Sequence, residues 1–125
     1  MEYRVSVSRK PTVRVYAVDG KERRLLASVT GWRADLIRRR VLRRVDKTEY
    51  MRFRDGRLIL SVDESTAVRV ALAAKAIAPL RDRERAKRIA DIIVRMDRGE
   101  LHWWYSLFLR VGWRALSALR RAYRE

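Results

Sequence analysis

The chain of 125 residues is long enough to fold as one domain around one hydrophobic core. Lysine and arginine number 31 against 15 aspartate and glutamate residues, and the resulting formal charge of +16 indicates an anionic partner. The chain has no cysteine, which excludes disulfides and thiolate metal sites. It begins without the apolar segment of a signal peptide, so we expect a cytoplasmic protein.

Most of the positive charge is arginine, whose planar guanidinium binds phosphate with two hydrogen bonds and also stacks on bases. A second interpretation is adaptation to heat, because abundant charge is typical of thermophilic proteins. Membrane insertion is not expected, since Leu101–Leu109, the longest apolar stretch, is far shorter than the roughly 20 residues of a membrane span.

Alternating residues predict strands in the first third of the chain. Thr12–Val18 places Val13 and Val15 on one side and Arg14 and Tyr16 on the other, which is the period of a half-buried strand. A turn at residues 19–20 and a return strand over residues 25–30 complete a hairpin. Valines at positions 5 and 7 indicate a further, weaker strand.

A second hairpin is predicted where Glu49–Arg54 and Arg57–Val62 flank Asp55-Gly56, a strong two-residue turn signal. Its apolar face is expected to consist of Met51, Phe53, Leu58, Leu60 and Val62. Between the hairpins, an apolar stripe with arginines on the other side predicts an amphipathic helix over Arg33–Val45.

The second half of the chain is predicted to be helical. Asp63 can cap a core helix over Thr66–Ala78, and an amphipathic helix over Asp82–Met96 and a long final helix over Leu101–Tyr123 follow. The predicted fold is therefore α+β: an antiparallel sheet of about four strands, formed by two hairpins, with helices packed mainly on one side and a long C-terminal helix.

The final helix carries two apolar stripes, and two stripes require two partners. We expect residues 1–99 to form a basic α+β nucleic-acid-binding domain and residues 100–125 to join two copies in a homodimer. Complete burial within one chain is the alternative. Trp103 and Trp104 are separated by about 100 degrees, so one is expected in the core and the other at an interface.

The sheet is predicted to carry a basic and aromatic outer face. If Val13, Met51 and Leu60 face the helices, the alternating residues face outward together. These residues are Arg14, Tyr16, Tyr50, Arg52, Arg54, Arg57 and Ile59. Such a face suits a nucleic-acid strand, because guanidinium groups neutralise phosphates and rings stack on bases. In the alternative, the tyrosines shield the sheet and the arginines pair with Glu22 and Glu49.

The helix after the first hairpin offers a second set of contacts. Steps of three and four place Trp32, Arg39 and Arg43 along one stripe. Five arginines between positions 38 and 44 have only Asp35 and Asp46 nearby to balance them, which favours phosphate contact. Trp32 can equally be a staple that packs under the preceding loop.

Catalytic constellations are not expected. His102 is the only histidine, the carboxylates are scattered apart from the pair at residues 63–64, where a helix cap is expected, and glycines occur singly rather than in a phosphate loop. We therefore expect no enzyme, no cofactor, no metal site and no small-molecule substrate.

Three segments carry a resemblance to a known family: Pro11-Thr-Val-Arg-Val-Tyr-Ala-Val-Asp-Gly-Lys, Val29-Thr-Gly-Trp-Arg-Ala-Asp-Leu-Ile, and the apolar C-terminal helix. Together they resemble the ThermoDBP family of archaeal single-stranded DNA-binding proteins. The resemblance implies a sheet-and-helix domain with a cleft of basic and aromatic residues, dimerisation through the C-terminal helix, and binding of single-stranded DNA with little sequence preference.

The sequence thus predicts a dimer that binds single-stranded nucleic acid, with DNA favoured over RNA. The predicted contact residues are Arg14, Tyr16, Trp32, Arg39, Arg43, Tyr50, Arg52, Arg54 and Arg57. RNA binding and a structural role that docks an acidic partner are the alternatives, and peripheral membrane attachment is a weaker one.

Overall fold

The computed structural model describes residues 1–44, 49–52, 57–112 and 114–123, with only the backbone of residues 44 and 49–52. Five strands form its sheet, and they are β1 (Glu2–Ser8), β2 (Thr12–Asp19), β3 (Glu22–Thr30), β4 (Glu49–Arg52) and β5 (Leu58–Val62). All paired neighbours are antiparallel, in the order β3-β2-β1-β5-β4.

The N-terminal strand is the centre of the sheet rather than a weak addition. β1 pairs with β2 on one side and with β5 on the other, and so joins the two predicted hairpins. Val5 and Val7 are buried between them. The α+β class is confirmed, with five strands in place of about four.

Five α-helices follow or separate the strands: α1 (Gly31–Arg40), α2 (Glu64–Ile77), α3 (Arg83–Arg95), α4 (Arg98–Val111) and α5 (Arg114–Ala122). α1 and α2 pack on the sheet, α3 packs on α1 and α2, α4 packs on α2, and α5 packs on α4. The sheet face beneath them is apolar, with Val5, Val13 and Val15 fully buried. None of the described helices is long and apolar enough to cross a membrane.

The core helix and its cap agree with the sequence prediction. α2 buries most of its residues, including Val70, Leu72 and Ile77. The Asp63 carboxylate accepts a hydrogen bond from the backbone N–H of Thr66 at 2.9 Å, which satisfies a helix-end donor. Hydrogen bonds from the Thr66 side chain and from its backbone N–H hold the pKa of Asp63 below its ordinary value.

Two helices end earlier than their apolar periodicity predicts. α1 stops at Arg40 and is followed by a short 3-10 helix over Leu42–Arg44, so the expected helix to residue 45 is wrong. The expected single helix over Leu101–Tyr123 is also wrong, because Gly112 adopts a φ of +61° and separates α4 from α5. Only glycine takes up this backbone conformation without strain.

The two C-terminal helices belong to the same core as the sheet. Leu101, Trp104, Phe108 and Leu119 are buried in one hydrophobic cluster with the strand valines. Trp104 is 4% exposed and is the expected core tryptophan, whereas its neighbour Trp103 is 58% exposed and its place at an interface stays a prediction. The helices beyond residue 99 thus contribute directly to the stability of the domain.

The register of β4 differs by one residue from the predicted one. Met51 lies opposite Ile59, whereas a shared apolar face with Leu60 was expected. Tyr50 instead occupies the position opposite Leu60, which is buried. A shift of one residue exchanges the two faces of a strand. The predicted turn at Asp55-Gly56 lies outside the described residues, and so does Phe53.

Candidate nucleic-acid interface

The sheet face opposite the helices, called the open face below, has no buried side chain among its described residues. Its described side chains are those of Glu2, Arg4, Ser6, Ser8, Thr12, Arg14, Tyr16, Val18, Arg23, Leu25, Ser28, Thr30, Ile59 and Ser61. The alternation of β2 explains its composition, because the intervening valines point into the core. A ligand can therefore reach this face without displacing a helix.

Two rows of cross-strand neighbours determine which side chains protrude from the open face. In one row Arg14 stands between Ser28 and Ser6, and in the next row Tyr16 stands between Leu25 and Arg4. Serine side chains are short, so the arginine and tyrosine side chains rise above them. The result is a shallow floor with a flat ring and long cations at its centre.

Tyr16 is surrounded by guanidinium groups. The Arg23 guanidinium carbon lies 4.8 Å from the centroid of the Tyr16 ring, in a cation–π contact. Arg4 occupies the position opposite Tyr16 on β1, and its guanidinium is 3.1 Å from the Glu2 carboxylate. The Tyr16 side chain is half-buried, so part of the ring remains accessible.

Positive charge on the open face is only partly balanced. Arg14 and Arg23 are exposed, and neither has an ion-pair partner among the described residues. In the described part of the chain, Glu22 forms no ion pair with an arginine of this face, whereas the alternative interpretation requires one. The Glu49 side chain lies outside the described residues. Two cations are therefore available to an anionic ligand.

The predicted helix residues do not join this surface. α1 packs on the covered face of the sheet, so Trp32, Arg39 and Arg43 lie on the other side from Tyr16. The Arg39 guanidinium is 3.1 Å from the Asp35 carboxylate, one turn earlier on the helix. Arg43 is exposed after the helix end. The second set of contacts expected from α1 therefore does not adjoin the face that carries Tyr16.

The ring of Trp32 is occupied by cations of the protein itself. The guanidinium carbons of Arg33 and Arg83 lie 4.5 and 5.4 Å from its centroid. Arg33 also donates hydrogen bonds to the Leu80 carbonyl oxygen, which ties the start of α1 to the loop after α2. This environment fits the staple interpretation of Trp32 better than a platform for bases.

The remaining predicted residues lie on or near the β4–β5 hairpin. Tyr50 and Arg52 stand opposite Leu60 and Leu58, so their ladder positions are not those of Tyr16 and Arg14. The expected common face of these residues is therefore wrong. Arg54 lies outside the described residues, and Arg57 is exposed just before β5.

Several arginines serve the fold rather than a ligand. The Arg40 guanidinium is 3.0 Å from the Asp91 carboxylate and links α1 to α3. Arg69 donates hydrogen bonds to the carbonyl oxygens of Ile93 (2.6 Å) and Val94 (2.8 Å) at the end of α3. Burial lowers the pKa of Arg69, and these carbonyl contacts satisfy its donors. Net charge alone thus overstates the charge free for binding.

Within the part of the chain that is described, no three histidine or carboxylate residues converge on a possible metal position. His102 lies 3.8 Å from Glu64 at the start of the helical layer. The open face offers hydrogen-bond donors, cations and a ring, which are groups that can bind an anionic ligand.

Two arginines of the open face were missed from the sequence. Arg4 belongs to the strand judged weak, although its alternation with Val5 and Val7 already marked the outer side. Arg23 follows a turn and reaches Tyr16 diagonally from the edge strand β3, where an irregular register lies between Val15 and Tyr16. A bulge of this kind leaves no signal in the residue pattern.

Comparison with known proteins identifies a family whose function is unknown. No curated protein and no solved structure matches the chain. One family model matches residues 2–123, a span that includes every described strand and helix. The chain therefore belongs to the family described as Domain of unknown function (DUF7680).

Proposed function

We propose that the protein binds single-stranded nucleic acid, with little sequence preference, across the open face of its sheet. The observation that carries the proposal is the cluster of Arg14, Arg23 and Arg4 around the accessible ring of Tyr16 on a face that none of the described helices covers. Single-strand binding requires cations that follow the backbone and flat groups that receive bases, and this cluster supplies both.

Charge provides the first part of the proposed affinity. Arg14 and Arg23 project from adjacent strands, and Arg23 stands opposite Val18, four residues beyond Arg14, so their Cα atoms are separated by roughly 13 Å or more. Phosphates along an extended strand are spaced by several ångströms, so the two guanidinium groups can neutralise phosphates that are not adjacent on the strand. Binding of this kind releases counterions and weakens steeply with salt.

Stacking provides the second part. The Arg23 guanidinium rests over the Tyr16 ring at 4.8 Å, and guanidinium planes themselves stack on bases. An unpaired base can continue this stack on Arg23, or replace Arg23 on the ring. A base inside a duplex offers no free face, so the stack favours single strands.

DNA is the proposed ligand, and RNA is the alternative. Ser6 and Ser28, which flank Arg14, are hydrogen-bonding groups that suit either backbone, and a 2′-hydroxyl needs only one or two such groups. The resemblance to the ThermoDBP family favours DNA and remains a prediction. Competition between DNA and RNA oligomers of the same sequence distinguishes the two ligands.

Photo-crosslinking tests where a strand lies. Oligonucleotides that contain 5-bromouracil, irradiated with the full chain and followed by peptide mapping, are expected to crosslink to the β2 peptide that contains Tyr16. Crosslinks confined to peptides from α3, α4 or α5 would contradict binding on the open face. Tyr16→Ala should remove the β2 crosslink, and Trp103→Ala, which removes an exposed ring elsewhere, should leave it unchanged.

A further inference from the structure

A cleft between α3 and α5 forms a second concentration of positive charge, remote from the sheet. Its volume is about 490 Å³, and none of its lining residues belongs to a strand. The lining consists of Arg85, Arg88, Ile89, Ile92, Ser117, Arg120, Arg121 and Tyr123. Four of these eight residues are arginines and none is acidic.

Helical spacing explains how the four guanidinium groups meet. Arg85 and Arg88 are three residues apart on α3, and Ile92 lies one further turn along the same face. On α5, Arg120 and Arg121 lie three and four residues after Ser117 and so share its face. Ile89 and Ile92 are 2% and 8% exposed, so the cleft has an apolar floor between two basic walls.

The arginines of the cleft have no charge partner among the described residues. In the described part of the chain, no carboxylate is paired with Arg85, Arg88, Arg120 or Arg121. The one side-chain hydrogen bond of this group runs from Arg121 Nε to the Ser117 carbonyl oxygen, at 3.4 Å. The nearby carboxylate of Glu100 is engaged by the Tyr123 hydroxyl.

Helix stability does not account for this arrangement. Arg120 and Arg121 stand in the last turn of α5, where cations are favourable, but Arg85 stands in the first turn of α3, where the helix dipole disfavours them. Arg120 is also partly buried. Four like charges around one cavity repel each other unless an anion lies between them.

We propose that this cleft is a separate binding site for a chain of two or three phosphoryl groups. Guanidinium forks match phosphate oxygens with paired hydrogen bonds, and four forks exceed what one monoanion requires. The apolar floor and the Tyr123 ring suit a ligand with a flat organic part. Such a group can come from a free nucleoside triphosphate or from a 5′-triphosphorylated strand end.

Titration calorimetry of the full chain with inorganic triphosphate tests the site. The double variant Arg88→Ala/Arg120→Ala should weaken binding by about tenfold or more, because each arginine contributes charge-assisted hydrogen bonds. The matched control Arg110→Ala/Arg114→Ala removes two exposed arginines outside the cleft and should retain wild-type affinity. An equal loss in both double variants would overturn the proposal, as would absence of binding to the wild-type protein.

Two further arms identify the source of the phosphoryl groups. If adenosine triphosphate competes with inorganic triphosphate and a 5′-triphosphorylated oligonucleotide does not, the site binds a free nucleotide. If only the oligonucleotide competes, the site binds a strand end. An oligonucleotide with a 5′-hydroxyl should not compete at all. The separate site is refuted if this 5′-hydroxyl oligonucleotide competes and if Arg88→Ala/Arg120→Ala weakens its binding as much as Arg14→Gln does. The cleft would then be part of the strand-binding surface.

Discussion

Removal of the Tyr16 ring should weaken single-strand binding without unfolding the protein. Stacking of a base on an aromatic ring contributes about 1 to 3 kcal/mol, so Tyr16→Ala should raise the Kd about 5- to 150-fold. The upper part of this range is expected here, because the substitution also removes the support of Arg23, whose guanidinium lies 4.8 Å from the ring centroid.

The fold should tolerate this substitution. Tyr16 is half-buried on the open face, where it neighbours Leu25 and Arg4, and cross-strand pairs of this kind contribute about 0.2 to 1 kcal/mol. Val15 and Ala17 on either side fill the core and remain unchanged. Circular dichroism and urea unfolding should therefore show a folded variant of nearly wild-type stability.

The assay is fluorescence anisotropy with a labelled single-stranded oligonucleotide at constant salt. Tyr16→Phe keeps the ring and should bind within about twofold of wild type, since stacking does not need the hydroxyl. Trp103→Ala removes a ring that is 58% exposed on α4 and should bind normally. Wild-type affinity of a folded Tyr16→Ala protein would refute the stacking step, and so would an equal loss from Trp103→Ala.

Four further outcomes are expected. Arg14→Gln should reduce the slope of log K against log salt by about 0.7, measured by anisotropy, because it removes one phosphate contact. Leu72→Ala should lower the free energy of unfolding in urea by about 2 to 5 kcal/mol, since Leu72 is fully buried in α2. Asp63→Ala should cost about 1 kcal/mol at neutral pH through loss of the helix cap. Folding lowers the pKa of Asp63, so the stabilisation by its carboxylate is present above about pH 4 and is lost as the pH falls through the folded pKa. In acid, the free energies of unfolding of the wild type and of Asp63→Ala, measured in urea, should therefore become equal. Sedimentation velocity should show a dimer for the wild type and a monomer for Leu109→Glu, which changes a side chain that is 61% exposed on α4; a monomeric wild type would contradict dimerisation through the C-terminal helices.

The parts of the fold that local patterns determine could be predicted from the sequence. Alternation placed Val13, Val15 and Ala17 in the core and Arg14 and Tyr16 on the other face, and the structure confirms this for β2. The nearly all-apolar run after Asp63 became the buried helix α2. In each case the hydrophobic pattern within one element was enough.

Features that depend on contacts between distant elements could not be predicted. Periodicity continued through Gly112, whereas the positive φ of that residue ends α4 before α5 begins. The register of β4 placed Tyr50 opposite Leu60, because pairing between strands is set by the connection and not by alternation alone. Trp32 shared a helical stripe with Arg39, but no pattern in the sequence gave the side of the sheet on which α1 packs.

The cleft between α3 and α5 illustrates the same limit. Arg88 and Arg120 are far apart in the chain, and each belongs to a helix whose charged face resembles an ordinary solvated surface. Their proximity follows from the packing of α3 on α1 and α2 and of α5 on α4. Neither helix by itself indicates that these arginines line one cleft.

The most direct test of binding on the open face is competition between single-stranded and duplex oligonucleotides of the same sequence at two salt concentrations. Tighter binding of the single strand is expected at both, and a smaller share of its affinity should be lost on raising the salt, because base stacking on Tyr16 and Arg23 is less sensitive to salt than phosphate contact. Equal affinity for the two forms, falling in parallel with salt, would contradict the account and leave only nonspecific attraction by the charge of +16.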